Sequence, residues 1–184
     1  YLCRLDLNQL HQVFLSLQLE LQTPSCVVGL TDLADRCRES FIASSYEGVP
    51  SQLQKQVFAA VCRVQKEGFV GANVEILEEA VLEDDGGGYS VDILLGGLPS
   101  RQRVVIEVDG PSHFLTVPCP EGDGAPSRVL NGRTALKHRL LKLMGWDVLQ
   151  VAYYEWDQLA DTESQDGYMC ELLSKYAASA SARQ

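Results

Sequence analysis

The sequence predicts a mixed α/β domain preceded by a short helical segment. Three observations carry that reading: apolar residues recurring at three- and four-residue steps near the start, short β-branched runs separated by glycine turns in the middle, and a strand, helix, strand succession after residue 104. With 46% hydrophobic residues in 184, the chain can bury one ordinary core with a smaller helical lobe beside it.

Leu7, Leu10, Phe14, Leu17 and Leu21 form the stripe of an amphipathic helix that Pro24 stops. A second helix is expected from Leu30 to Phe41, with Thr31 or Asp32 near its start. The chain divides near Ser44 to Ser51, so residues 1–45 read as a helical segment. A lone helix pair buries its apolar face poorly, which points to the end of an upstream helical repeat region, although no complete repeat lies within the chain. The sequence begins at Tyr1 rather than methionine and reads as a fragment, with any targeting peptide upstream.

After the linker, Ser51 can cap a helix running to about Lys66, with Leu53, Val57, Ala60, Val61 and Val64 buried and Gly68 ending it. A strand follows from Asn73 to Leu77, then an acidic tip, then Gly86-Gly87-Gly88, then a strand from Tyr89 to Leu95. The three glycines read as a hairpin loop, because no G-x-G-x-x-G or G-K-[ST] context surrounds them. The third strand is Val104 to Asp109, and Pro118 to Pro126 reads as a mobile surface loop.

From Thr134 to Met144 the pattern is helical, with Leu136, Leu140 and Leu143 inward and Gly145 at the C-terminal cap. Asp147 to Ala152 is a short strand, expected parallel to the one from Val104 through a right-handed crossover. That arrangement would set the residues that end the Val104 strand at a sheet edge or opening, flanked by the basic helix. Tyr153, Tyr154 and Trp156 follow, either as a stacking surface for unpaired bases or, for Trp156, as a core anchor leading into a final helix. Residues 177–184 read as a disordered tail.

The most informative stretch is Val104-Val105-Ile106-Glu107-Val108-Asp109-Gly110-Pro111-Ser112-His113-Phe114. On a strand, Glu107 and Asp109 share one face, and Gly110-Pro111 breaks the strand so that a loop can return His113 to the same spot. Oxygen and nitrogen groups at one strand end suit a divalent metal or the handling of a phosphate; a solvated strand end with a packed histidine is the plainer alternative.

Charge and cysteine usage bound the function. The formal net charge is −10, which works against nucleic-acid binding unless the charge is segregated. It is segregated: Glu75, Glu78, Glu79, Glu83, Asp84 and Asp85 cluster before the glycine turn, whereas Arg128, Arg133, Lys137, Arg139 and Lys142 have no acid among them. The plain reading of that basic stretch is a solvated helix face. The six cysteines form no C-x-x-C pair, which argues against structural zinc and for scattered reduced thiols. No apolar run is long enough to span a bilayer.

IEVDGPSHF, NGRTALKHRLLKLMGW and DVLQVAYYEWDQL closely resemble the RAP domain, an RNA-associated module of organellar proteins. LNQLHQVFLSLQLE resembles the helical segment preceding it in octotricopeptide-repeat proteins, and YSVDILL the strand before the signature. The animal FAST-kinase family ends in a related domain, but the H-R-D and D-F-G sequences of a kinase are missing here. RAP domains in turn resemble the very-short-patch-repair branch of the PD-(D/E)XK nucleases, which implies a restriction-endonuclease-like mixed sheet over residues 51–176. Under that resemblance Asp92 is the first acid and Glu107 the second; Asp109 replaces the usual lysine, Val91 replaces the proline, and His113 matches the histidine after the second strand.

The resemblance implies catalysis by Asp92, Glu107, Asp109 and His113, with Mg²⁺ or Mn²⁺ on the three acids, and RNA phosphates held by Arg133, Lys137, Arg139 and Lys142. It further implies an organellar RNA-processing factor, in mitochondrion or chloroplast, acting on mRNA or rRNA as a metal-dependent endoribonuclease. The alternative is a catalytically inactive RNA-binding or structural module among ribosomal or RNA-processing proteins.

Overall fold

The structure, a computed structural model, describes residues 2–21, 29–70, 73–98, 102–118 and 126–176. Pro24, most of the loop from Pro118 to Pro126 and the tail from residue 177 lie outside the described residues.

Helices α1 (Arg4–Glu20) and α2 (Thr31–Ser45) come first. α2 runs four residues past the predicted Phe41, because its last turn is held by the rest of the fold: Ser45 Oγ donates to Gly88 O at 2.7 Å and Phe41 packs edge-on against Tyr89. α1 is tied down similarly, with His11 Nε2 donating to Gly87 O at 2.7 Å. The helical segment therefore shares a core with the sheet that follows. Gly87 and Gly88 have positive φ of 62° and 83°, and a Cβ on Gly87 would fall 2.8 Å from Leu15. Helix and loop meet only because those side chains are missing.

Helix α3 (Gln52–Lys66) begins as predicted. Ser51 Oγ accepts from Gln54 N while Gln54 Oε1 accepts from Ser51 N, a reciprocal cap, and Val57, Ala60, Val61 and Val64 are buried. β1 (Glu75–Leu82) and β2 (Tyr89–Gly96) form the expected hairpin. β1 extends beyond the predicted Leu77, so Glu78 and Glu79 belong to the strand and not to an acidic tip. β3 (Val104–Asp109) pairs antiparallel with β2 and parallel with β6 (Asp147–Ala152), giving the order β1-β2-β3-β6.

Of the edge or opening expected at the end of the Val104 strand, the structure gives the opening and not the edge. β3 is interior and all six of its residues are buried, because α3 and α6 (Thr162–Leu173) cover one face and α4 (Gly132–Leu143) covers the other. Its polar residues reach an opening only beyond the strand's C-terminal end. There the chain makes a 3-10 turn (Pro111–His113) and then a separate two-stranded sheet not anticipated from sequence, β4 (Phe114–Val117) with β5 (Ser127–Leu130). After β6 comes the short α5 (Tyr153–Trp156), with Trp156 in the core as predicted at 2% exposure.

One irregularity shapes the sheet. The register pairs Glu78 with Ile93 and Ala80 with Val91, but the intervening Glu79 and Asp92 are left out of the ladder. Glu79 has φ of 53°, the left-handed region that non-glycine residues rarely adopt. Ile93 and Leu95 pack toward α3 and α6, whereas Tyr89 and Val91 pack with Leu140 and Leu141 of α4. The hairpin thus exchanges faces at Asp92.

Candidate functional site

The site is built where β2, β3 and α4 meet. From alternation, Glu107 and Asp109 point away from Ile106 and Val108, toward the α4 side. Both are sealed: Glu107 is 2% exposed and Asp109 is 0%. A charge this deep must find a partner. Glu107 finds Lys137, whose Nζ donates to Oε2 at 2.6 Å. Asp109 receives His113 Nδ1 on Oδ1 at 2.7 Å and Gln150 Nε2 on Oδ2 at 2.6 Å, with His138 Nε2 at 3.7 Å from the same Oδ2. Asp92 receives the backbone N–H of Val108 on Oδ2 and Gln54 Nε2 on Oδ1, each at 2.6 Å. Gln54 Nε2 also donates to Glu79 Oε1 at 2.8 Å.

The electrostatics follow from burial and crowding. Burial pushes the Glu107 carboxyl up to about 8; the Lys137 ammonium offsets this only in part, and Asp92 and Asp109 add to the rise. Burial also raises Asp92 and Glu79, each against the pull of Lys137. His113 is raised by its hydrogen bond to Asp109, whereas burial lowers His138. Since Asp109 holds Nδ1–H of His113, the other ring nitrogen is left to a half-exposed edge, where it can take or give a proton.

Asp92, Glu107, Asp109 and His113 are therefore brought within electrostatic reach of one another, but not as a metal cage. Each oxygen of Asp92 and Asp109 already accepts a protein donor, and Lys137 puts a cation on Glu107. Glu107 Oε1 is buried without a hydrogen-bond partner among the described residues, and a single open oxygen is not a coordination sphere. No group of three or more His, Cys, Asp or Glu side chains among the described residues is arranged to hold a metal ion. The residues present do not fit Mg²⁺ or Mn²⁺ in the manner the nuclease resemblance implies.

The predicted RNA-binding residues divide. Lys137 is consumed by Glu107, and Arg139 pairs with Glu20 of α1 at 2.9 Å. Arg133 and Lys142 are exposed and carry no ion pair among the described residues. Arg133 lies at the start of α4, whose N-cap Asn131 donates its backbone N–H to His113 O at 2.8 Å and its side-chain amide to Ser112 O at 2.9 Å. The first turn of α4 is thereby fixed against the His113 turn.

Sequence reasoning missed Glu79, Gln54, Gln150 and His138. A signal existed for Gln150, a lone polar residue in the apolar run VLQVA, and for Gln54, whose capping role was foreseeable from Ser51. His138 gave none. A cavity of about 450 Å³ lies elsewhere, between α1, α2 and the β1–β2 loop, with His11, Leu15 and Arg38 in its wall. No helix among the described residues is long and apolar enough to cross a membrane.

Comparison with known proteins matches this region. The chain is 26% identical over 175 residues, 92% of its length, to a RAP domain-containing protein, chloroplastic, of Oryza sativa subsp. japonica. It spans 23% of the length of that relative. The family model of the RAP domain matches residues 106–172, from Ile106 on β3 to Leu172 on α6, so that Asp92, Gln54 and Glu79 reach the site from elements before the matched segment. Over residues 106–172, then, this chain is similar to the RAP domain.

Proposed function

We propose that this chain is the RNA-associated part of an organellar gene-expression protein, binding mRNA or rRNA in a chloroplast or mitochondrion. The RAP domain and the chloroplastic relative support an RNA-associated role in an organelle. One observation carries the proposed mode of binding: Asn131 holds the first turn of α4 against the His113 turn. The positive end of the α4 dipole, the guanidinium of Arg133 and an imidazole whose pKa is raised all favour a phosphate at that opening.

The geometry favours binding over metal-dependent cleavage. Two-metal or one-metal hydrolysis needs open carboxylate oxygens, and here protein donors occupy them. In this reading Asp92, Glu107 and Asp109 organise the floor of the site and orient His113, and Arg133 with Lys142 replaces the four-residue basic face as the exposed cationic surface of α4.

The test is RNA affinity across a salt series for the 184-residue chain and its Arg133→Ala variant. Loss of one phosphate contact is expected to weaken binding and to reduce the slope of log K against log salt by about 0.7 for a single strand. An unchanged slope and affinity would remove Arg133 from the interface.

A further inference from the structure

The segment after His113 carries a feature that the phosphate site does not use. Phe114, Tyr153 and Tyr154 form a three-ring cluster, with centroids 5.7 Å apart for Phe114 and Tyr153, 5.3 Å for Phe114 and Tyr154, and 5.4 Å for the two tyrosines. The guanidinium of Arg128 reaches over it from β5, 5.1 Å from the Tyr154 centroid and 5.9 Å from that of Tyr153. Arg128 is exposed and the three rings are only half-buried, in contrast to Trp156 of the same helix, which is core. The cluster is also joined to the site by the chain itself: Phe114 follows His113 directly, and Tyr153 follows Ala152, the residue paired with Asp109.

We propose that Phe114, Tyr153, Tyr154 and Arg128 form a stacking platform for an unpaired base of single-stranded RNA, next to the phosphate held at His113 and the start of α4. The inference rests on the RNA reading above and adds the class of RNA. Aromatic rings and a guanidinium plane are the surfaces on which bases stack without sequence choice. A base in a duplex is already stacked on both faces and cannot use them. Charge favours RNA as the occupant: Arg128 sits on β5, Arg133 at the start of α4 and His113 in the turn before β4, whereas Asp84 and Asp85 of the β1–β2 loop pair with Arg38 and Arg103. The acid nearest in sequence, Glu155, is engaged by the Tyr168 hydroxyl at 2.8 Å.

The experiment uses the 184-residue chain with a single-stranded oligoribonucleotide carrying 2-aminopurine, and the same sequence annealed to its complement. The single strand is expected to bind more tightly than the duplex, with its fluorescence quenched on binding. Tyr154→Leu should weaken single-strand binding at least about fivefold and relieve the quench while leaving the salt slope unchanged. Tyr154→Trp, which restores an aromatic face, should recover both and guards against a merely unfolded leucine variant. If the wild-type chain binds RNA but Tyr154→Leu leaves affinity and quench as they were, or if duplex binds as well as single strand, the platform is refuted while the phosphate site stands. If the wild-type chain binds neither RNA, both readings fall together.

Discussion

Lys137 Nζ lies 2.6 Å from Glu107 Oε2, and the glutamate is 2% exposed. The sequence places Lys137 among cations expected to face RNA; the fold instead folds it onto a buried acid. Removing one partner of such a pair strands the other in a medium of low polarity. Above about pH 8, where Glu107 is ionised, Lys137→Ala should therefore cost about 3 kcal/mol of stability in urea denaturation, and less below it, with little change in RNA affinity for the fraction that stays folded. A variant of native stability with weakened RNA binding would restore Lys137 to the interface.

Asp109 and His113 give a spectroscopic prediction. The hydrogen bond from Nδ1 to Oδ1 raises the imidazole above its ordinary value, so Asp109→Asn should bring the His113 pKa down, as read from the ring-proton shifts in an NMR titration. The stabilisation from this raised group is fully present below about 6.5 and is lost as pH rises through the folded pKa. RNA affinity should fall over the same interval if the imidazolium meets a phosphate. A His113 pKa unmoved by Asp109→Asn would contradict the pairing.

Glu107 has the opposite consequence for stability. Its carboxyl is raised to about 8, so between its unfolded value of about 4.5 and about 8 the folded chain holds a proton that the unfolded chain has released. This costs stability as pH rises through that window, roughly 1.4 kcal/mol per unit of displacement. Thermal melts from pH 5 to 9 should show the wild type losing ground to Glu107→Gln toward the alkaline end. Parallel curves would mean that the carboxyl is ionised throughout, with Lys137 compensating its burial completely.

Divalent ions offer a direct check on the floor of the site. Because the oxygens of Asp92 and Asp109 already accept Gln54, Val108, His113 and Gln150, calorimetric titration with Mg²⁺ or Mn²⁺ should show no saturable uptake, and EDTA should leave the melting temperature unchanged. Stoichiometric uptake abolished by Glu107→Gln would show that those hydrogen bonds yield to an ion.

Much of this protein was legible in its residues. The capped helix from Ser51, the glycine hairpin, the parallel pairing across α4 and the burial of Trp156 all follow from short-range rules of capping, turn geometry and connection length. That Asp109 and His113 meet was also foreseeable, because strand alternation and a turn act locally, whereas Asp92 was tied to them only through the nuclease resemblance. Which partner each charge takes was not. Lys137, Gln54 and Gln150 lie 30, 38 and 41 residues from the acids that they satisfy, and no local pattern records such a pairing.

The sequence by itself determined the main helices, the four strands of the large sheet and their order, and the likeness of residues 106–172 to the RAP domain, since these depend on periodicity and on a contiguous signature. Tertiary structure alone decided that β3 is interior, that its carboxylates are met by protein donors, and that Arg128 comes to rest over Tyr154. The physical reason is desolvation: the penalty on a buried charge is fixed by every element packed around it, and it is relieved by whichever donor the packing brings within reach.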